Sequence, residues 1–82
     1  MNDKNLSLKD TFEAAVQNYK KGNFKEAEAV CYKILSINRS HFDSKALLAD
    51  ISAKNKDFHK AKEFLNEAIE IQPNNLRILN TL

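Results

Sequence analysis

Leu8, Phe12, Ala15 and Tyr19 lie three or four residues apart, the spacing that gathers side chains on one face of an α-helix. Gly22 follows, a residue free to adopt positive φ and therefore suited to end that helix. After a turn at Gly22 and Asn23, a second apolar stripe runs through Phe24, Ala27, Cys31, Ile34 and Leu35, with Asn23 as its expected cap and Glu26 placed to complete a capping box. This helix is predicted to end near Asn38. Ser40 with Asp43 repeats the capping signal ahead of Leu47, Leu48 and Ile51, and Asp57 precedes Phe58, Ala61, Leu65, Ala68 and Ile69. Pro73 has no amide to donate and stops the fourth helix. Asn74 or Asn75 is then placed to cap a last helix containing Leu76, Ile78, Leu79 and Leu82.

The stripes repeat. A shift of 34 residues carries Phe24 onto Phe58, Ala15 onto Ala49, Ala27 onto Ala61, Cys31 onto Leu65, Leu35 onto Ile69 and Ile37 onto Ile71 without a gap. Phe42 falls on Leu76, so a third unit begins there. Short links between successive helices force neighbours to pack antiparallel as hairpins. Ala15 with Ala27, and Ala49 with Ala61, are small enough to let the two helices of each hairpin approach closely. Phe24 and Phe58 are expected to wedge the open ends of the two hairpins in equivalent surroundings. One hairpin cannot bury its stripe unaided, so the second must stack on it.

This organisation is all-α. Residues 1–7 are expected to be a flexible N-terminus, 8–41 and 42–75 the two repeats, and 76–82 the first helix of a truncated third repeat or a capping helix. The uncovered Leu76, Leu79 and Leu82 would then form an edge suited to self-association, making a homo-oligomer the alternative to a scaffold for other proteins.

At 82 residues, with 43% hydrophobic and 29% charged positions and one Gly and one Pro, the chain suits a helical globule and leaves little room for a large enzyme cavity. The net charge of +2 is weak, and Lys21 and Lys25 are followed closely by Glu26 and Glu28. No nucleic-acid partner is expected. Cys31 is the single cysteine, which excludes an internal disulfide and makes a reducing, cytoplasmic setting the expectation. Met1 is followed by polar residues, and no apolar run is long enough to cross a bilayer, so no membrane partner is expected either.

With the period of 34, the small residues and the closing proline in view, the chain resembles the tetratricopeptide repeat, a helix–turn–helix unit with the signature W-x2-L-G-x2-Y, A-x3-F, P. The positions that align with it are Thr11, Ala14, Ala15, Asn18, Ala27, Cys31 and Arg39 in the first unit. In the second they are Lys45, Leu48, Ala49, Ser52, Ala61, Leu65 and Pro73. The large aromatics of the signature's first helix are absent, Arg39 stands where the family favours proline, and Lys56 stands where the first unit has Gly22. The turn at Asn55 and Lys56 must therefore form without glycine, at a cost if either residue takes positive φ.

The resemblance implies a right-handed α-solenoid of two hairpins plus a partial third repeat, used as a protein-interaction scaffold without cofactor or metal. By the family's geometry, first helices line a concave groove for a peptide or partner helix. The lining would comprise Lys9, Phe12, Val16, Tyr19 and Lys20, then Asp43, Ala46, Leu47, Asp50 and Lys54, then Arg77 and Asn80. Tyr19, with an apolar body and a polar tip, is the leading contact candidate. Ala15, Phe24, Ala27, Ala49, Phe58, Ala61 and Pro73 are assigned to structure. The Lys and Asn clamp with which one subgroup grips a C-terminal carboxylate is replaced by Phe12, Val16 and Leu47, so tight binding of such a tail is not expected. Residues Thr11 to Leu35 also resemble the opening repeat of bacterial proteins in which an array precedes a glycosyltransferase or sulfotransferase domain, which implies a recruiting role.

Catalytic arrangements are weak by comparison. His41 and His59 lie at or beside turns, and Cys31 lies on an apolar stripe, so a Cys–His nucleophile pair would contradict the periodicity. Glu63, Glu67 and Glu70 share one helix surface, but lack the histidine that a carboxylate metal site would include and read as a solvated face paired with Lys60 or Lys62. A chain with one glycine has no phosphate-cradling loop.

Overall fold

The computed structural model describes residues 7–73. Four helices follow in order: α1 Leu8–Lys20, α2 Phe24–Ile37, α3 Phe42–Lys54 and α4 Phe58–Ile71. No strand occurs among the described residues. The final helix expected from Leu76, its Asn74 or Asn75 cap, and Arg77, Asn80, Leu79 and Leu82 lie outside the described residues.

The local chemistry repeats with the sequence. α1 ends in a Schellman motif: the Gly22 amide donates to the Tyr19 carbonyl (3.0 Å), the Asn23 amide donates to the Asn18 carbonyl (2.8 Å), and Gly22 takes φ 84°. Thirty-four residues on, the Lys56 amide donates to Ala53 (2.9 Å), the Asp57 amide to Ser52 (2.8 Å), and Lys56 takes φ 63°. The second turn thus keeps the backbone path of the first and meets the cost foreseen for a turn without glycine.

The helix starts are also equivalent, though two caps differ from those expected. Ser7 Oγ accepts from the Asp10 amide (3.1 Å), and at the matching position His41 Nδ1 accepts from the Ser44 amide (3.2 Å). The cap of α3 is therefore His41 and not Ser40, because an imidazole nitrogen can act as the side-chain acceptor at the position the repeat dictates. Asn23 makes no capping bond to α2; its Nδ2 donates back to Asn18 Oδ1 (3.4 Å). Asp57 does cap α4, its Oδ1 accepting from the Lys60 amide (3.2 Å).

α1 pairs with α2 and α3 with α4, and α3 also packs against α1 and α2. One buried cluster joins Ala15 and Ala27 to Cys31, Leu47, Leu48 and Ile51, with Phe12, Val16, Tyr19 and Phe24 against it. A second joins Phe42, Ala46 and Ala49 of α3 to Leu65 and Ala68 of α4. Ala61 is buried as well. α3 therefore carries buried residues on two faces, whereas Ala15 is the buried residue of α1.

Phe24 and Phe58 are not equivalent. Phe24 is half-buried, with its ring 5.5 Å from that of Tyr19, whereas Phe58 is 66% exposed. The position that matches Tyr19 in the second repeat is Ala53, which offers no ring to lie against. Phe58 therefore does not wedge its hairpin.

Candidate functional site

The first helices α1 and α3 lie side by side and supply the face expected to bind. Phe12, Val16 and Tyr19 are half-buried along α1, with Lys9 and Lys20 exposed at its two ends. On α3, Asp43 and Lys54 are exposed and Asp50 is half-buried. Ala46 and Leu47 are corrections, at 4% and 7% exposure. Ala46 fills the seam with α4 and Leu47 fills the core between the repeats, because α3 is the middle helix and has apolar neighbours on both sides.

The Asp50 carboxylate of α3 lies within electrostatic reach of the Tyr19 phenol of α1. Burial of the Tyr19 phenol, and secondarily the Asp50 carboxylate, raise its pKa from the ordinary 10.0. The hydroxyl therefore stays protonated at neutral pH and can serve as donor or acceptor. Further along α1, the Phe12 ring sits 5.6 Å from the His41 imidazole at an interplanar angle of 56°. His41 thus joins this face as well as capping α3, a placement that the apolar pattern alone did not reveal.

Behind the face runs a buried polar chain. Ser44 is fully buried, with its Oγ 2.8 Å from His41 Nδ1, and it hydrogen-bonds with the Cys31 side chain. The Ser44 hydroxyl thus sits between the imidazole nitrogen that accepts the Ser44 amide and the Cys31 thiol. Ser44 thereby links Cys31 to His41, a connection that the apolar periodicity does not disclose. Nucleophilic chemistry does not follow. Cys31 is 0% exposed, and desolvation, opposed by the Ser44 hydrogen bond and aided by the Glu28 charge, pushes its pKa up to about 12. The chain satisfies polar groups that the core would otherwise strand.

On the outer side, Lys60 Nζ lies 3.8 Å from Glu28 Oε2, and the Tyr32 and Phe64 rings stand 6.3 Å apart, joining α2 to α4. The Tyr32 hydroxyl foremost, then Glu28, raise the Lys60 pKa. The α4 carboxylates do not pair as expected with Lys60 or Lys62: Glu63 meets His59 (3.3 Å) and Glu67 meets Lys45 of α3. No grouping of His, Cys, Asp and Glu among the described residues could hold a metal ion, and no helix there is long and apolar enough to cross a membrane.

Two like hairpins, repeated backbone turns and a shared core define a helical-hairpin repeat protein. A comparison with known families matches residues 18–82 to the tetratricopeptide repeat, and the chain belongs to that family. Its repeats form a non-catalytic fold that generally mediates protein–protein interaction. No curated protein matches the chain.

Proposed function

We propose that the chain is a protein-interaction module whose α1–α3 face receives a peptide or partner helix, centred on Tyr19 and Asp50. The observation that carries this reading is the half-buried row of Phe12, Val16 and Tyr19 on α1 beside the half-buried Asp50 of α3, whose charge reaches the Tyr19 phenol. A phenol and a carboxylate within electrostatic reach of each other supply a donor and an acceptor on the face that also carries the apolar Phe12 and Val16, the combination of polar groups and apolar area that peptide recognition uses. Lys9, Lys20 and Lys54 at the helix ends favour a partner with acidic flanks.

The test compares proteins recovered by wild type, by the double variant Tyr19→Phe and Asp50→Asn, and by Glu70→Gln on α4. These near-isosteric changes preserve packing. Partners that bind this face are lost from the double variant and retained by Glu70→Gln; equal recovery by all three, with equal helicity, removes the assignment.

A further inference from the structure

The turns inside the two hairpins, between α1 and α2 and between α3 and α4, lie at the same end of the stack, because α1 and α3 run alike and α2 and α4 return antiparallel. Residues 20–26 and 54–60 carry Lys20, Lys21, Lys25, Lys54, Lys56 and Lys60 against Glu26 and Asp57 alone. Asp57 is engaged as the α4 cap, and Glu63, one turn further, meets His59. Lys60 is held by Glu28. Lys56 and Lys62 are exposed and meet no carboxylate partner among the described residues. The edge is therefore far more positive than the weak net charge of the chain suggests.

Phe58 lies within this edge, next but one to Lys56 and one helical turn from Lys62. Its 66% exposure contrasts with Phe24, which Tyr19 covers. Ala53 stands where Tyr19 would stand, so the second hairpin presents a ring without the apolar neighbour that the first supplies internally. Lys56 also holds a left-handed backbone at φ 63°, a conformation that glycine would adopt without strain.

We propose that Phe58, Lys56 and Lys62 form a second docking surface, separate from the α1–α3 face, for an acidic peptide segment carrying one large apolar side chain. The apolar side chain takes the place against Phe58 that Tyr19 takes against Phe24, and flanking carboxylates meet the lysines. Charge complementarity selects this occupant. A single ring gives little insertion into a bilayer, and the lysines follow two short turns without the continuous basic track that a nucleic-acid backbone requires. Recognition involves no terminal carboxylate, so the absent clamp does not bear on it.

The test is fluorescence polarisation with an N-acetylated, C-amidated peptide of alternating Glu and Asp around a central Phe, alongside the same peptide with central Ala. Wild type binds the Phe peptide; Phe58→Ala weakens it about tenfold, as expected for an uncovered aromatic contact. Lys56→Gly, which relieves the backbone, weakens binding severalfold while raising the unfolding midpoint, so weaker binding cannot be ascribed to misfolding. Tyr19→Phe leaves binding unchanged, which separates this surface from the other face. Equal binding of the Phe and Ala peptides, unchanged binding by Phe58→Ala and Lys56→Gly, or sedimentation with phosphatidylserine vesicles in the absence of peptide binding would each overturn the proposal.

Discussion

Gly22 and Lys56 occupy one backbone position in two successive turns, both left-handed, at φ 84° and 63°. The hydrogen bonds around them match pair for pair, so conformational preference at this position is the difference between the turns. Lys56→Gly is expected to stabilise the protein by about 0.5–1 kcal/mol, since relief of left-handed strain outweighs the added freedom of the unfolded chain. A Cβ at Gly22 meets nothing within 4 Å, so Gly22→Ala should cost about 1 kcal/mol from backbone strain, without a steric clash. Urea denaturation followed by circular dichroism checks both signs.

The pair Phe24 and Phe58 should respond unequally to truncation. Phe24→Ala removes a ring packed on Tyr19 and the core and should cost about 2–4 kcal/mol, whereas Phe58→Ala at an exposed site should stay within about 0.5 kcal/mol. Similar losses in chemical denaturation would show that Phe58 is covered in solution.

The raised pKa of Tyr19 sets a pH dependence. The unfolded phenol ionises near 10.0 and the folded one above it, so beyond pH 10.0 the unfolded state has shed a proton that the native state retains. This contribution is complete below that pH and declines as pH rises toward the folded value. Burial is the main cause and Asp50 the second, so Asp50→Asn should move the phenolate absorbance transition part of the way back toward 10.0. Tyr19→Phe should flatten the corresponding part of the alkaline stability profile.

Cys31 should be inert in the native protein. A thiol with pKa about 12 and no exposure offers negligible thiolate at neutral pH, so a disulfide exchange reagent should modify it only as fast as the core opens. Modification that stays fast when unfolding is suppressed would contradict the burial. Between 9.0 and about 12 the unfolded chain loses this proton before the native chain does, so stability falls with rising pH there as well.

His41→Asp should preserve most of the stability of α3, because a carboxylate can accept from the Ser44 amide, whereas His41→Ala should cost about 1–2 kcal/mol by removing the cap and a partner of the buried Ser44 hydroxyl. Thermal unfolding of the two variants distinguishes capping from simple loss of the Phe12 contact.

The sequence revealed what depends on spacing. Ala15, Ala27, Ala49 and Ala61 could be placed in tight helix contacts from the period alone, as could the turn at Gly22. It concealed what depends on which helix is flanked twice. Ala46 and Leu47 carry no local mark of burial, and only the stacking of α3 between its neighbours puts them inside. Ser40 looked like a cap because hydroxyls usually are; His41 won because the helix starts one residue later and its Nδ1 meets the amide. The exposure of Phe58 was encoded in Ala53, a small residue whose importance lies in the ring it lacks. The approach of Tyr19 to Asp50 joins residues far apart in the chain, which no helical periodicity reports.

Because α3 sends apolar side chains into both hairpins, it acts as a shared keystone between them. Cutting the backbone between Ile37 and Phe42 would strip Leu47, Leu48 and Ile51 of their partners on one fragment and leave Ala15 and Cys31 bare on the other. Neither piece would hold its shape separately, yet mixed together they would still have complementary surfaces with which to reassemble.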